Sequence, residues 1–427
     1  MVQDAQSFHE FMPEQVWKWK LLEQTIERIL ALYNYQEIRL SVLQDYRILH
    51  QGITALMQGT EAENAVERVL SICQPNEQLS LLSLRPEGTI SVLHHTAKIT
   101  NPGEIHRFYY SGPMFRKADL PQHMEYYQLG VELLGSDSVL SESEVISLGM
   151  KICQELNLKE VRLDINSYGC FKCREKFFAD LRKYLSEHKD EYCQQCFKDL
   201  YANPFSETRC QDQKCLHSVQ KGPQISDYLC SECKSNFNRL KKIQANLAHR
   251  YRVNPCLYKN FAYYNETVFD FVVPHKGQEI VIGGGGRYDY LSAKITGTSI
   301  PAVGFYLNLD SIFAIMEEGK QFHRNINDFS AYICAQSENL EMMTLQIAQE
   351  LHSNGIKTIL SPDISSTETE LKRAKDQKCS LMLILREENI REGKIMLRNL
   401  AKDNHDYIAL KDTIPAVILA RKALIHD

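Results

Sequence analysis

Eight of the thirteen cysteines lie between Cys170 and Cys233, in four pairs: Cys170-x2-Cys173, Cys193-x2-Cys196, Cys210-x4-Cys215 and Cys230-x2-Cys233. A tetrahedral Zn²⁺ site needs four thiolates or imidazoles, and a CxxC turn supplies two of them. Two sites would tie together stretches far apart in sequence and close residues 170–245 into a small unit of their own. Such clusters in a chain with no secretory signal read as metal ligands before disulfides. Every ligand position would be filled, so the expected role is structural. Sequential pairing, first pair with second and third with fourth, is the simplest arrangement. Crossed pairing, His217 in place of one thiolate, redox thiols and unliganded cysteines stay open.

Around that segment the hydrophobic pattern is that of a soluble α/β (α+β) chain. Its 427 residues suffice for two to four domains, and 44% hydrophobic content supports large cores. No apolar run is long enough to span a bilayer, and a cytoplasmic setting is expected. A net charge of −5 argues against a strongly basic nucleic-acid binder but leaves room for a local patch.

Val16, Trp17, Leu21, Ile26, Ile29, Leu30 and Tyr33 follow three/four spacing and predict a helix over 14–33, with Pro13 in its first turn. A short strand is expected at 37–42. Alternation at 79–84, 105–111, 126–134 and 161–165 predicts strands of a mostly antiparallel sheet, with helices at 90–98 and 141–155. After the cysteine-rich segment, strands are expected at 267–273, 279–282 and 302–307 and a helix at 309–318. The glycine run Gly283-Gly284-Gly285-Gly286 reads as a close backbone approach to a ligand or as a tight turn. A polar linker at 318–327 precedes strand–helix alternation that predicts a small α/β unit with a parallel or mixed sheet. The expected domains are a core over 1–169 and 246–320, the insert over 170–245, and a C-terminal unit over 328–427.

Glu87, Gln128, Glu132, Tyr263, Tyr264, Arg287 and Tyr288 are polar or aromatic residues in or beside strands. Each alone would commonly be an ordinary sheet residue. Four ordered motifs contain them: Leu84-Arg85-Pro86-Glu87-Gly88-Thr89, Tyr127-Gln128-Leu129-Gly130-Val131-Glu132, Tyr263-Tyr264-Asn265-Glu266-Thr267-Val268-Phe269 and Gly283-Gly284-Gly285-Gly286-Arg287-Tyr288-Asp289. With Phe108 to Arg116, these resemble, in order and separation, the class II histidyl-tRNA synthetase family over roughly residues 10–320. A weaker resemblance covers the rest. It implies a class II synthetase-like antiparallel core flanked by helices, a homodimer, and a C-terminal anticodon-binding-like domain. It also implies that Glu87, Thr89, Gln128 and Glu132 hold the amino end of free histidine, that Tyr264 and Tyr288 hold its imidazole with Tyr263 and Arg287 beside them, and that Arg116 clamps carboxylate and α-phosphate.

The same resemblance exposes departures. Family members carry a glutamate for adenine where this chain has Ala118, and an arginine that stacks on adenine where it has Ser311. Their catalytic arginine before the double tyrosine is Lys259 here, and a nearby carboxylate is Ala262. Lysine keeps the charge but not the bidentate fork. The proline ending motif 1 corresponds to Ser41. Lys117, His123 and Lys259 are candidate compensators.

The expectation is therefore a histidine-binding protein impaired in adenylation, acting as a sensor or regulatory subunit with a protein partner. The alternatives are an active histidine–tRNA ligase using ATP and Mg²⁺, and a tRNA-binding adaptor. Lys172, Arg174, Lys176, Arg182 and Lys183 in the insert, and Lys372, Arg373, Lys375 and Lys378 near the C-terminus, are candidate tRNA contacts or solvated faces.

Overall fold

A computed structural model describes residues 10–54, 66–72, 82–97, 99, 101, 103–117, 124–202, 204–205, 210, 212–259, 263–322 and 329–426. Ala118, His123 and Ala262 lie outside the described residues, as does the second half of the expected linker, 323–327. The chain divides into two compact units, Met1–Phe322 and His323–Asp427.

The strands of the first unit are β1 (Gln36–Glu37), β2 (Leu43–Asp45), β3 (Ser71–Ile72), β4 (Leu82–Leu84), β5 (His106–Phe115), β6 (Glu125–Leu134), β7 (Arg162–Ser167), β8 (Tyr251–Val253), β9 (Asn265–His275), β10 (Gln278–Arg287) and β11 (Ala302–Asn308). Eight of them form one sheet in the order β1-β5-β6-β11-β10-β9-β7-β8. The six central strands are antiparallel, and only the edge pairs β1–β5 and β7–β8 are parallel. Strands β2, β4 and β3 make a small separate sheet. The helices are α1 (Pro13–Leu32), α2 (Tyr46–Thr54), α3 (Thr89–Thr96), α4 (Val139–Glu155), α5 (Phe171–Glu187), α6 (Gln194–Ala202), α7 (Gln213–Lys221), α8 (Ser231–Asn246), α9 (Asp289–Thr296) and α10 (Leu309–Glu318).

Successive strand residues point to opposite faces, so the large sheet has two distinct sides. One is apolar: Leu129, Val131 and Leu133 of β6, Val303 and Leu307 of β11 and Phe269 and Phe271 of β9 join the core formed with α1, α4 and α10. The buried stripe of α1 is Trp19, Leu22, Ile26, Ile29 and Leu30. Leu21, expected inside, is 37% exposed; Trp19 and Leu22 take the inward positions instead.

Two local expectations are corrected. Residues 38–42 are not a continuous strand: β1 ends at Glu37, and the buried Arg85 guanidinium donates to the Leu40 carbonyl at 2.7 Å, while the Arg85 main-chain N–H donates to the Val42 carbonyl at 2.9 Å. Those carbonyls are satisfied outside a ladder, so the chain leaves the sheet. The glycine run is not a turn. It lies inside β10, hydrogen-bonded to β9 and β11 on either side.

The second unit contains β12 (Ser330–Ala335), α11 (Glu341–Ser353), β13 (Lys357–Leu360), α12 (Thr367–Asp376), β14 (Leu381–Leu385), α13 (Glu387–Arg391), β15 (Lys394–Asn399), β16 (Asn404–Ala409) and α14 (Thr413–His426). Its sheet runs β13-β12-β14-β15-β16, parallel through β14 and antiparallel after it.

Candidate histidine site and cysteine clusters

The second face of the large sheet carries a cavity of about 240 Å³. Its floor follows from strand alternation. Gln128, Gly130 and Glu132 share one side of β6, and Gly130 and Glu132 are registered opposite Tyr306 and Gly304 of β11. An added Cβ at Gly304 would overlap Glu132 Oε2, and one at Gly130 would overlap the Tyr110 ring. One at Gly284 would overlap Asp270 and come within 2.5 Å of Lys259 Nζ. Glycine on these strands therefore makes the space into which the polar side chains reach.

Glu87, Thr89, Gln128, Glu132, Tyr263, Tyr264 and Tyr288, with Arg116 and Lys259, all line this cavity. Glu87 is 3% exposed and accepts the Thr89 and Ile90 N–H groups at 2.7 and 3.0 Å, binding the open N-terminus of α3. Burial raises its pKa, and those two N–H groups oppose the rise. Glu132 accepts the Tyr288 hydroxyl and, at 2.8 Å, the Thr89 hydroxyl. Burial pushes its pKa up to about 8. Gln128 donates to the Tyr110 hydroxyl at 3.3 Å. Tyr263, Tyr264 and Tyr288 contact one another with ring centroids 4.8–6.2 Å apart, forming an aromatic wall.

Arg116 donates Nε to Pro86 O at 2.8 Å and lies over the Tyr126 ring at 5.1 Å. Lys259 is ion-paired with Asp270 of β9. Asp270 was not singled out in the sequence, where it sits in an apolar run; only its register opposite Gly284 explains the pairing. Arg85 is a second residue the sequence left unassigned: it also donates to Pro113 O at 2.8 Å, tying the Leu84–Thr89 segment to β5.

Arg287 is not among the cavity-lining residues. It is 1% exposed and bound to Glu142 at 2.7 Å, Asp289 at 3.0 Å and the Ser136 and Ser138 carbonyls. These partners accept four hydrogen bonds from the guanidinium. Ser311 sits in the first turn of α10, where its N–H is capped by Asn308 Oδ1 at 2.9 Å. The neighbouring Asp310 accepts the Tyr127 N–H at 2.7 Å.

The eight cysteines form two quartets, but not by sequential pairing. The first and last pairs, Cys170, Cys173, Cys230 and Cys233, make one set, and Cys193, Cys196, Cys210 and Cys215 make the other; within each set all Sγ atoms lie within 4.8 Å of one another. The first pair opens α5 and the last opens α8, and main-chain N–H···S hydrogen bonds from Cys170 to Cys233 and from Cys230 to Cys173 hold these two helix starts together. His217 belongs to neither set. A Zn–S bond of about 2.3 Å in a tetrahedron gives sulfur separations of roughly 3.8 Å. Cys170–Cys173 at 3.6 Å and Cys193–Cys210 at 3.9 Å match it, so each quartet could hold a metal ion.

Of the insert cations, Arg174 is turned inward, with Nε and Nη2 buried, and is corrected as a surface contact. Arg373 and Lys375 of the C-terminal unit are ion-paired to Glu370, Asp363 and Asp403 within that unit.

An antiparallel core with a polar, aromatic cavity of this kind defines the class II synthetase architecture, which solved structures share. The apo histidyl-tRNA synthetase of S. aureus matches with a TM-score of 0.79 at 22% identity, covering 98% of this chain and all of that one. An ATP phosphoribosyltransferase regulatory subunit/histidyl-tRNA synthetase from Bacillus halodurans matches with a TM-score of 0.62 at 18% identity, over 88% and 96%. A histidyl-tRNA synthetase family profile matches residues 7–312, and an anticodon binding domain profile matches 330–418. The chain belongs to the histidyl-tRNA synthetase family. It is 29% identical to the histidine–tRNA ligase of Halothermothrix orenii over 95% of its length and 96% of that protein, and 28% identical to that of Natranaerobius thermophilus over 94% and 95%.

Proposed function

We propose that the cavity binds free histidine and that the chain is a sensing or regulatory member of its family, impaired in forming the aminoacyl adenylate. One asymmetry carries this reading. The amino-acid side is furnished with two buried carboxylates, a glutamine and three tyrosines, suited to an ammonium and an imidazole. On the side where phosphate charge would develop, Lys259 stands in place of an arginine and already pairs with Asp270, and Ser311 replaces a second arginine. Losing one charged contact to a developing phosphate charge commonly costs about 3 kcal/mol, roughly a hundredfold in rate. Arg116 alone keeps its family identity there.

A second reading, a working histidine–tRNA ligase, is favoured by the near full-length match to relatives named as such. ATP with Mg²⁺ would then be a substrate, with Arg116 and Lys259 as its charged contacts. Contact with tRNA belongs to both readings, supported by the C-terminal profile match. A homodimer is also part of the proposal, supported by Leu43, Ile72 and Leu82 exposed on the small sheet. Structural Zn²⁺ in the cysteine quartets, in a reducing cytoplasm, completes it.

Calorimetry of histidine against the wild type and Glu132→Ala tests the binding. Submillimolar affinity weakened about tenfold or more by the substitution, ~1.4 kcal/mol, is expected. Affinity weaker than millimolar and unchanged in Glu132→Ala would contradict it.

A further inference from the structure

The two cysteine quartets differ in what surrounds them. The first stands at the neck where β7 gives way to α5. Across it the two helix starts are cross-linked: the Cys170 N–H donates to Cys233 Sγ at 3.3 Å and the Cys230 N–H to Cys173 Sγ at 3.1 Å. Beside it Arg174 has buried Nε and Nη2 atoms without hydrogen-bond partners among the described residues. It follows Cys173 directly, and its main-chain N–H donates to the Cys170 carbonyl at 3.2 Å. A buried guanidinium without a counter-charge is costly. Four thiolates around a divalent ion carry a net charge of about −2, which supplies one.

The same neck reaches the cavity wall. Gly169, at φ +61°, has no room for a Cβ, which would come within 2.6 Å of Cys173 Cβ. The preceding Tyr168 is 1% exposed; its N–H donates to Glu266 O at 2.6 Å, and Glu266 N–H donates to Gly169 O at 3.2 Å. The Tyr168 hydroxyl accepts the Lys259 main-chain N–H at 2.6 Å. Only Gly169 thus separates a residue that holds Lys259 from the first thiolate of the neck.

We propose that Cys170, Cys173, Cys230 and Cys233 bind one zinc-type divalent ion whose charge Arg174 offsets, and that this filled cluster fixes Tyr168 and, through it, the main chain at Lys259. Lys259 faces the cavity, and Tyr168 acts on it as a positioning residue. This rests on the structural-zinc reading and goes beyond it in the coupling to Tyr168 and Lys259; it does not depend on histidine binding.

The test is metal analysis with hydrogen exchange on the full chain, without histidine. Wild type, a Cys230→Ser/Cys233→Ser variant, a Cys210→Ser/Cys215→Ser variant and Tyr168→Phe are reconstituted with Zn²⁺. Expected are two equivalents in the wild type and in Tyr168→Phe and one in each cysteine variant. Exchange across residues 254–259 should rise about tenfold or more in the neck variant, and at Lys259 in Tyr168→Phe with the metal retained. If the neck variant does not fold, chelator-stripped and Zn²⁺-reloaded wild type gives the same comparison. No zinc in the wild type, a zinc content unchanged in the neck variant, or exchange at 254–259 indifferent to metal removal would each overturn the proposal.

Discussion

Glu132 is where burial most changes the chemistry of a single residue. Burial pushes its carboxyl up to about 8 from an ordinary 4.5, and the hydroxyls of Tyr288 and Thr89 only partly oppose the rise. The folded pKa is raised, so its contribution to stability is fully present below about 4.5 and is lost as pH rises through about 8. An ammonium arriving beside it reverses that bias and expels the proton. Histidine binding at pH 7.5 is therefore expected to release up to about one proton per site. Calorimetry in buffers of different ionisation heat reads this directly; a binding heat independent of buffer would contradict it. Arg287 carries the opposite lesson. Removing it would strand Glu142 and Asp289, so Arg287→Ala should cost about 3–5 kcal/mol in urea unfolding. Unchanged stability with weakened histidine binding would return it to a ligand role. Residue types flagged Glu132 and Arg287 alike, but a sequence does not say which face of a strand has a vacancy. Asp270 stayed hidden for the converse reason: its partner is set by a register across β9 and β10.

At the scale of elements, periodicity was informative wherever burial alone determined the fold. The helix at 309–318 coincides with its expected bounds, and the strands expected at 126–134 and 302–307 are each extended by one residue. It misled where side chains take over main-chain hydrogen bonds, as Arg85 does at Leu40, and where glycine is used for space instead of turning. Gly285 shows the second case: an added Cβ would overlap the Gly304 carbonyl of β11, which cannot move without opening the ladder. Gly285→Ala should destabilise by about 1–3 kcal/mol or more in the same urea assay, and a neutral effect would mean that β10 and β11 separate more easily than their pairing implies. The cysteine pairing was illegible for a topological reason. Sequence order favours neighbouring pairs, whereas the packing of the start of α8 against the start of α5 brings the last pair to the first.

At the scale of the molecule, two compact units and a near full-length family match leave one question, whether binding and activation have parted. The proposed parting rests on a cavity lined by carboxylates and tyrosines and on Lys259 and Ser311 at positions where the family resemblance implies arginines. Histidine-dependent exchange of pyrophosphate with ATP, measured at several Mg²⁺ levels on protein shown to bind histidine, tests this most directly. The account predicts histidine binding with exchange at least about a hundredfold below that of a ligase relative measured alongside. Exchange equal to that relative's would contradict it and make Lys259, paired with Asp270, an adequate substitute for the missing arginine.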